Sequence, residues 1–103
     1  MKIEFSNEVL SVEDGKYTAV IDGIHEYGEE GRILIKLKIE QENVTLINFT
    51  SMDALGRYPW NNVFKALNTD DTDDLIGQSV EFEVKNEEKG GNCYCNIKNV
   101  KLV

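Results

Sequence analysis

Histidine, cysteine, proline and tryptophan are nearly missing from this chain, and positive charge is scarce. There is one histidine, one proline, one tryptophan, two cysteines, and eleven lysines and arginines against nineteen acids. Each shortage excludes something. With His25 alone there is no histidine-based ligand set and no nucleophile–base pair. A nucleophile elbow and a phosphate-binding glycine loop are also missing, so no enzyme, metal or cofactor is expected. Cys93 and Cys95 are one residue apart, which on an extended strand puts both thiols on one face, ~7 Å apart along the chain. A disulfide between them would need a distorted backbone, and zinc would need two more ligands, so they read as structural thiols. No apolar run is long enough to span a bilayer, and Met1–Leu10 lacks the parts of a signal peptide, so the expectation is a cytoplasmic protein without membrane contact. The net charge of −8 weighs against tight, indiscriminate DNA binding, because phosphate affinity comes mostly from lysine and arginine.

What is present is alternation. Hydrophobic residues make up 41% of 103 residues, enough for one domain over 1–103 with its own core. Residues 1–14 read as a loose leader in which Lys2–Phe5 alternates like a short strand. Asp14-Gly15 then opens a strand over Lys16–Tyr27 with Tyr17, Ala19 and Ile21 on one face, and Gly23 suits a bulge. After the loop Tyr27–Gly31, the segment Arg32–Gln41 alternates most cleanly: Ile33, Ile35, Leu37 and Ile39 inward, Leu34, Lys36 and Lys38 outward. A third strand follows over Asn43–Thr50.

Residues 51–78 form a cap. Trp60, Val63, Phe64 and Leu67 recur at helical spacing, with Pro59 suited to the first turn and the stripe plugging the sheet. Asp70-Asp71-Thr72-Asp73-Asp74 lacks the glycine and final glutamate of an EF-hand and reads as a solvated loop. Two strands close the chain, Ser79–Asn86 and Asn92–Val103, joined at Lys89-Gly90-Gly91-Asn92. In the last strand Cys93, Cys95 and Ile97 share a face and Tyr94, Asn96 and Lys98 the other. Val100 and Leu102 shift that phase, which implies a bulge near Lys98-Asn99. Five strands with a helix between the third and fourth is the order of a mainly β, five-stranded OB-fold-like Greek-key barrel, a fold that commonly binds single strands and hosts other functions too.

The register of the second and third strands sets what joins the two lysines. A two- or four-residue turn pairs Ile39 with Val44 and places Lys38, Lys36 and Leu34 opposite Thr45, Ile47 and Phe49 on the outer face, a stacking platform. A three-residue turn with Asn43 left-handed buries Ile47 and Phe49 instead. Both stay open from sequence.

Gly15-Lys16-Tyr17-Thr18-Ala19-Val20-Ile21, Asp74-Leu75-Ile76-Gly77-Gln78-Ser79-Val80 and Tyr94-Cys95-Asn96-Ile97-Lys98 together resemble small phage and mobile-element proteins of Gram-positive bacteria, proposed to be OB-fold single-stranded DNA-binding proteins. Gln78 stands where lysine is common in that family. The resemblance implies ssDNA binding in phage or mobile-element replication or recombination, with replication or recombination proteins as further partners. On that reading Lys36, Lys38, Lys89 and Lys98 meet phosphates, with Arg57 and Arg32 as weaker candidates. Tyr58, Tyr94 and Phe49 stack on bases. Eight of the eleven basic residues lie in the strand-rich parts, which softens the objection from net charge. The alternative is a protein-interaction module, an assembly subunit or an acidic DNA mimic, that binds no nucleic acid and uses the acidic leader and Asp70–Asp74 as contacts.

Overall fold

A computed structural model describes residues 8–28, 31–57 and 60–103. The Lys2–Phe5 alternation, Tyr58 and Pro59 lie outside the described residues. Where apolar residues alternate, strands form: β1 (Glu8–Val9), β2 (Gly15–Glu26), β3 (Arg32–Ile39) and β4 (Val44–Ser51), then β5 (Ser79–Lys89) and β6 (Asn92–Leu102). Between them lie two short helices, α1 (Met52–Leu55) and α2 (Asn61–Leu67), and a 3-10 turn over Thr72–Leu75. None of the described helices is long and apolar enough to cross a membrane.

The strands make one mainly antiparallel sheet in the order β1-β4-β3-β2-β5-β6. The expectation of five strands closed into a barrel is corrected on both counts: the described residues form six strands, and their sheet is open. β1 is the unforeseen strand. It runs parallel to β4, with Glu8 beside Thr45 and Val9 beside Leu46, and so occupies the edge of β4 that would otherwise be free to close the sheet. Beyond Leu46 the edge of β4 faces β6 across a cleft instead of a ladder. Two bulges curl the sheet toward that cleft. One falls between Ile21 and Gly23 in β2, and the other lies opposite Glu81–Glu83, where Asn99 is left-handed at φ 53°.

The inward rows build the core. Ala19 and Ile21 of β2, all four isoleucines and leucines of the β3 alternation, and Val80, Phe82 and Val84 of β5 are buried. Each such side chain is worth ~1.5–3 kcal/mol when taken fully from water. Tyr17 stacks on Phe82 at 6.0 Å between ring centroids, and its hydroxyl donates to the Glu13 carbonyl at 2.6 Å. Burial, then the carboxylates of Glu42 and Glu13, push the Tyr17 phenol up, which keeps that donor protonated.

From the cap, Trp60, Val63, Leu55 and Leu75 complete the core, with Phe64 and Leu67 packed against it. α2 is a seven-residue helix that stops at Asn68, left-handed at φ 53°. The aspartate run is a capped turn: the Asp71 carboxylate accepts from Asp73 N at 2.9 Å and Thr69 Oγ1 donates to Asp74. The N-terminal segment is tied to β5 in turn. Asp14 Oδ1 accepts from both the backbone N and Nδ2 of Asn86 at 2.8 Å, and Nδ2 also donates to the Val12 carbonyl. The bond from the Asn86 backbone N–H, then that from its side chain, holds the Asp14 carboxyl below its ordinary value.

Candidate nucleic-acid interface

The outer face of β3 and β4 follows from the alternation of Arg32–Ile39: with Ile33, Ile35, Leu37 and Ile39 buried, Leu34, Lys36 and Lys38 must point out. The register is the one that pairs Ile39 with Val44, so Thr45, Ile47 and Phe49 stand opposite Lys38, Lys36 and Leu34. Its connection has four residues, Glu40 to Asn43, and Asn43 takes a left-handed φ of 51° within it. A left-handed asparagine and the outward register are thus compatible. The extra turn residue absorbs the shift that a three-residue turn would have passed to the strand.

Phe49 is 52% exposed on this face. Its ring meets Tyr27 edge-on, with centroids 5.4 Å apart and planes at 71°, a geometry worth ~0.5–1.5 kcal/mol beyond area burial. Tyr27 sits where β2 turns toward β3, held by a bond from its backbone N to the Arg32 carbonyl at 3.1 Å. It was not among the candidates read from sequence, because its neighbours mark a loop and only the register of β4 carries Phe49 to it. Ile47, at 9%, is covered rather than offered, so the platform is narrower than the sequence implies.

The two lysines differ. Lys36 Nζ lies 3.4 Å from Glu8 Oε2, an ion pair supplied by β1 that no strand pattern announced. Lys38 is exposed and makes no ion pair among the described residues.

Next to this face the seam between β4 and β6 opens into a cleft of about 430 Å³. Phe49 and Asn48 line it from β4, and Tyr94 and Asn96 from β6, with Trp60 also contributing from the cap. Tyr94 is 49% exposed and points away from the core, not into it. Phe49 thus shares the outer face of β3 and β4 with Lys36 and Lys38 and the cleft with Tyr94.

Arg57, Lys89 and Lys98 do not line the cleft. Arg57 follows α1, where its Nε donates to the Asp53 carbonyl at 3.2 Å. Lys89 is paired with Asn92 at the hairpin end, and Lys98 stands opposite Glu83 in the β5–β6 ladder. Arg32 opens β3 opposite Ser51.

A second cleft of about 450 Å³ lies over β2, β5 and β6. Its charges satisfy one another: Lys16 meets Glu83 at 3.7 Å, Lys101 meets Glu81 at 3.5 Å, and Asn99 donates to Glu83. It offers a ligand far less unmet polarity than the aromatic side does. No group of three or more metal-ligating side chains occurs among the described residues. Neither a scan against protein-family models nor a search of curated proteins returns a match to this chain.

Proposed function

We propose that this protein is an OB-fold-like module that binds single-stranded DNA across the outer face of β3 and β4. The single observation that carries the reading is Phe49, half exposed and braced edge-on by Tyr27, on the same face as Lys36 and Lys38. An exposed aromatic beside cations is the pairing that single strands require: bases stack on the ring and phosphates meet the charge. The strand order β4-β3-β2-β5-β6 is that of an OB barrel opened between its third and fifth strands, which supports the fold half of the proposal. A role in phage or mobile-element replication or recombination rests on the resemblance at Gly15–Ile21, Asp74–Val80 and Tyr94–Lys98 alone.

Few cations serve the face, and Glu8 already engages one of them, so binding is micromolar with a shallow salt dependence. Fluorescence anisotropy of labelled oligo(dT), a matched duplex and an RNA of equal length, at low and physiological salt, tests this. Saturable binding that favours the single strand and weakens with salt is the expected result. Flat curves at high protein concentration remove nucleic acid from the account.

A second reading, an interaction module for a basic partner, is favoured by the cap. Residues 51–78 carry five aspartates against Arg57 and Lys65, and Asp53, Asp70 and Asp73 are exposed. Flat anisotropy curves would leave that reading standing.

A further inference from the structure

The seam between β4 and β6 offers chemistry that the aromatic face beside it does not use. Although the chain carries −8, no aspartate, glutamate, lysine or arginine lines the cleft among the described residues. Its polar lining includes two side-chain carboxamides, Asn48 and Asn96. Asn48 stands opposite the buried Ile35 in the β3–β4 ladder, two residues after the buried Leu46, and so belongs to the inward row of β4. A polar residue there breaks the apolar row where the sheet fails to close. Asn48 and Asn96 are half-buried, and neither carboxamide has a hydrogen-bond partner among the described residues. Each presents a donor and an acceptor side by side, open to a matching edge.

We propose that this seam receives one unstacked nucleobase of the bound strand. Asn48 and Asn96 hydrogen-bond the edge of the base, while Phe49 and Tyr94 flank its faces. The inference rests on the single-strand reading of the adjoining face. Neutral lining suits a neutral base, and the phosphates stay outside with Lys38 and Lys36. A cleft of about 430 Å³ has room for a purine. An unpaired base of any kind exposes an edge with a donor and an acceptor side by side, so the carboxamides can hold each of the four and the slot selects a base without choosing its identity.

Anisotropy with dA12, dT12 and an abasic 12-mer, on the wild type and on the Asn48→Ala/Asn96→Ala double variant, tests the slot. The wild type should bind dA12 and dT12 more tightly than the abasic strand. In the double variant the affinity for dA12 and for dT12 should fall roughly fivefold to a hundredfold, the span that one or two bidentate contacts supply, while the abasic-strand affinity and the melting temperature stay as in the wild type.

Affinity for dA12 and dT12 that survives the double variant overturns the slot and leaves the face intact. Failure of every strand to bind overturns face and slot together. As a readout that needs no variant, titration of 15N-labelled wild type with adenosine monophosphate should shift the Asn48 and Asn96 side-chain amide resonances. Ribose 5-phosphate should leave them in place, and equal shifts by the two would also overturn the slot.

Discussion

Phe49 is where a single side chain has most to say about function. Half of it faces solvent and the rest leans on Tyr27, so its removal should cost the fold little and a stacked base much. Phe49→Ala is expected to weaken single-strand binding by ~1–3 kcal/mol while shifting the thermal midpoint by only a few degrees, measured by anisotropy and differential scanning fluorimetry on the same samples. Asp14 makes a different kind of statement. Its carboxyl titrates below the ordinary 3.8 because the Asn86 N–H and side chain bond the ionised form. A depressed folded-state value means stability that is present above the unfolded value and lost as pH falls through the folded one. Asp14→Ala should therefore melt below the wild type at pH 7, and the two melting curves should converge as the pH drops under about 3.8.

At the scale of elements, the β5–β6 hairpin rests on two glycines, with Gly90 at φ 61° and Gly91 at φ 82° joining Lys89 directly to Asn92. Open space surrounds both positions, so a side chain there meets no clash and pays only for the left-handed backbone. Gly91→Val should destabilise the protein by ~1–2 kcal/mol or somewhat more, a β-branched residue being the worst case. Chemical denaturation with an unchanged m-value would show that stability alone is affected. This turn was plain in the sequence, as were the four inward positions of β3, the Trp60 stripe and the bulge at Asn99, because each depends on local periodicity or on one permissive residue.

The elements hidden from sequence depend on pairing at a distance. β1 is two residues long and has no pattern of its own; only contact with Thr45 and Leu46 makes it a strand. The open seam lies beyond that contact, and nothing near Cys93–Ile97 or Ile47–Thr50 announces it. The candidate site divides in the same way. Lys36, Lys38 and Tyr94 followed from alternation, whereas Phe49, left open by the sequence, and Tyr27, Glu8, Asn48 and Asn96 enter through register and the seam. Arg57, Lys89 and Lys98 were chosen for charge, and charge alone does not place a residue on a face.

For the molecule as a whole, two opposed electrostatic terms share one solvent. A net charge of −8 repels itself in the compact state, while on the proposed reading the lysine face attracts phosphate. Added salt screens both. Between about 20 mM and 0.5 M sodium chloride, well on either side of a ~10 Å Debye length, the melting temperature should rise as strand affinity falls. Parallel thermal melts and anisotropy titrations across that range check the pair of slopes. A melting temperature that falls with salt would mean that the ion pairs Lys36–Glu8, Lys16–Glu83 and Lys101–Glu81 outweigh the general repulsion.

The tie between Asp14 and Asn86 also orders events in time. Those residues are 72 positions apart, while the hairpin that carries Asn86 closes through adjacent glycines. A hairpin of that kind forms in microseconds. The tie must wait until β2 has docked on β5, because only that pairing brings residue 14 alongside residue 86. We expect it to be a late latch, fastened after the rate-limiting crossing. Its loss in Asp14→Ala should leave the refolding rate nearly unchanged and quicken unfolding, so the leader sets how long the native state lasts and has little say in how fast it is reached.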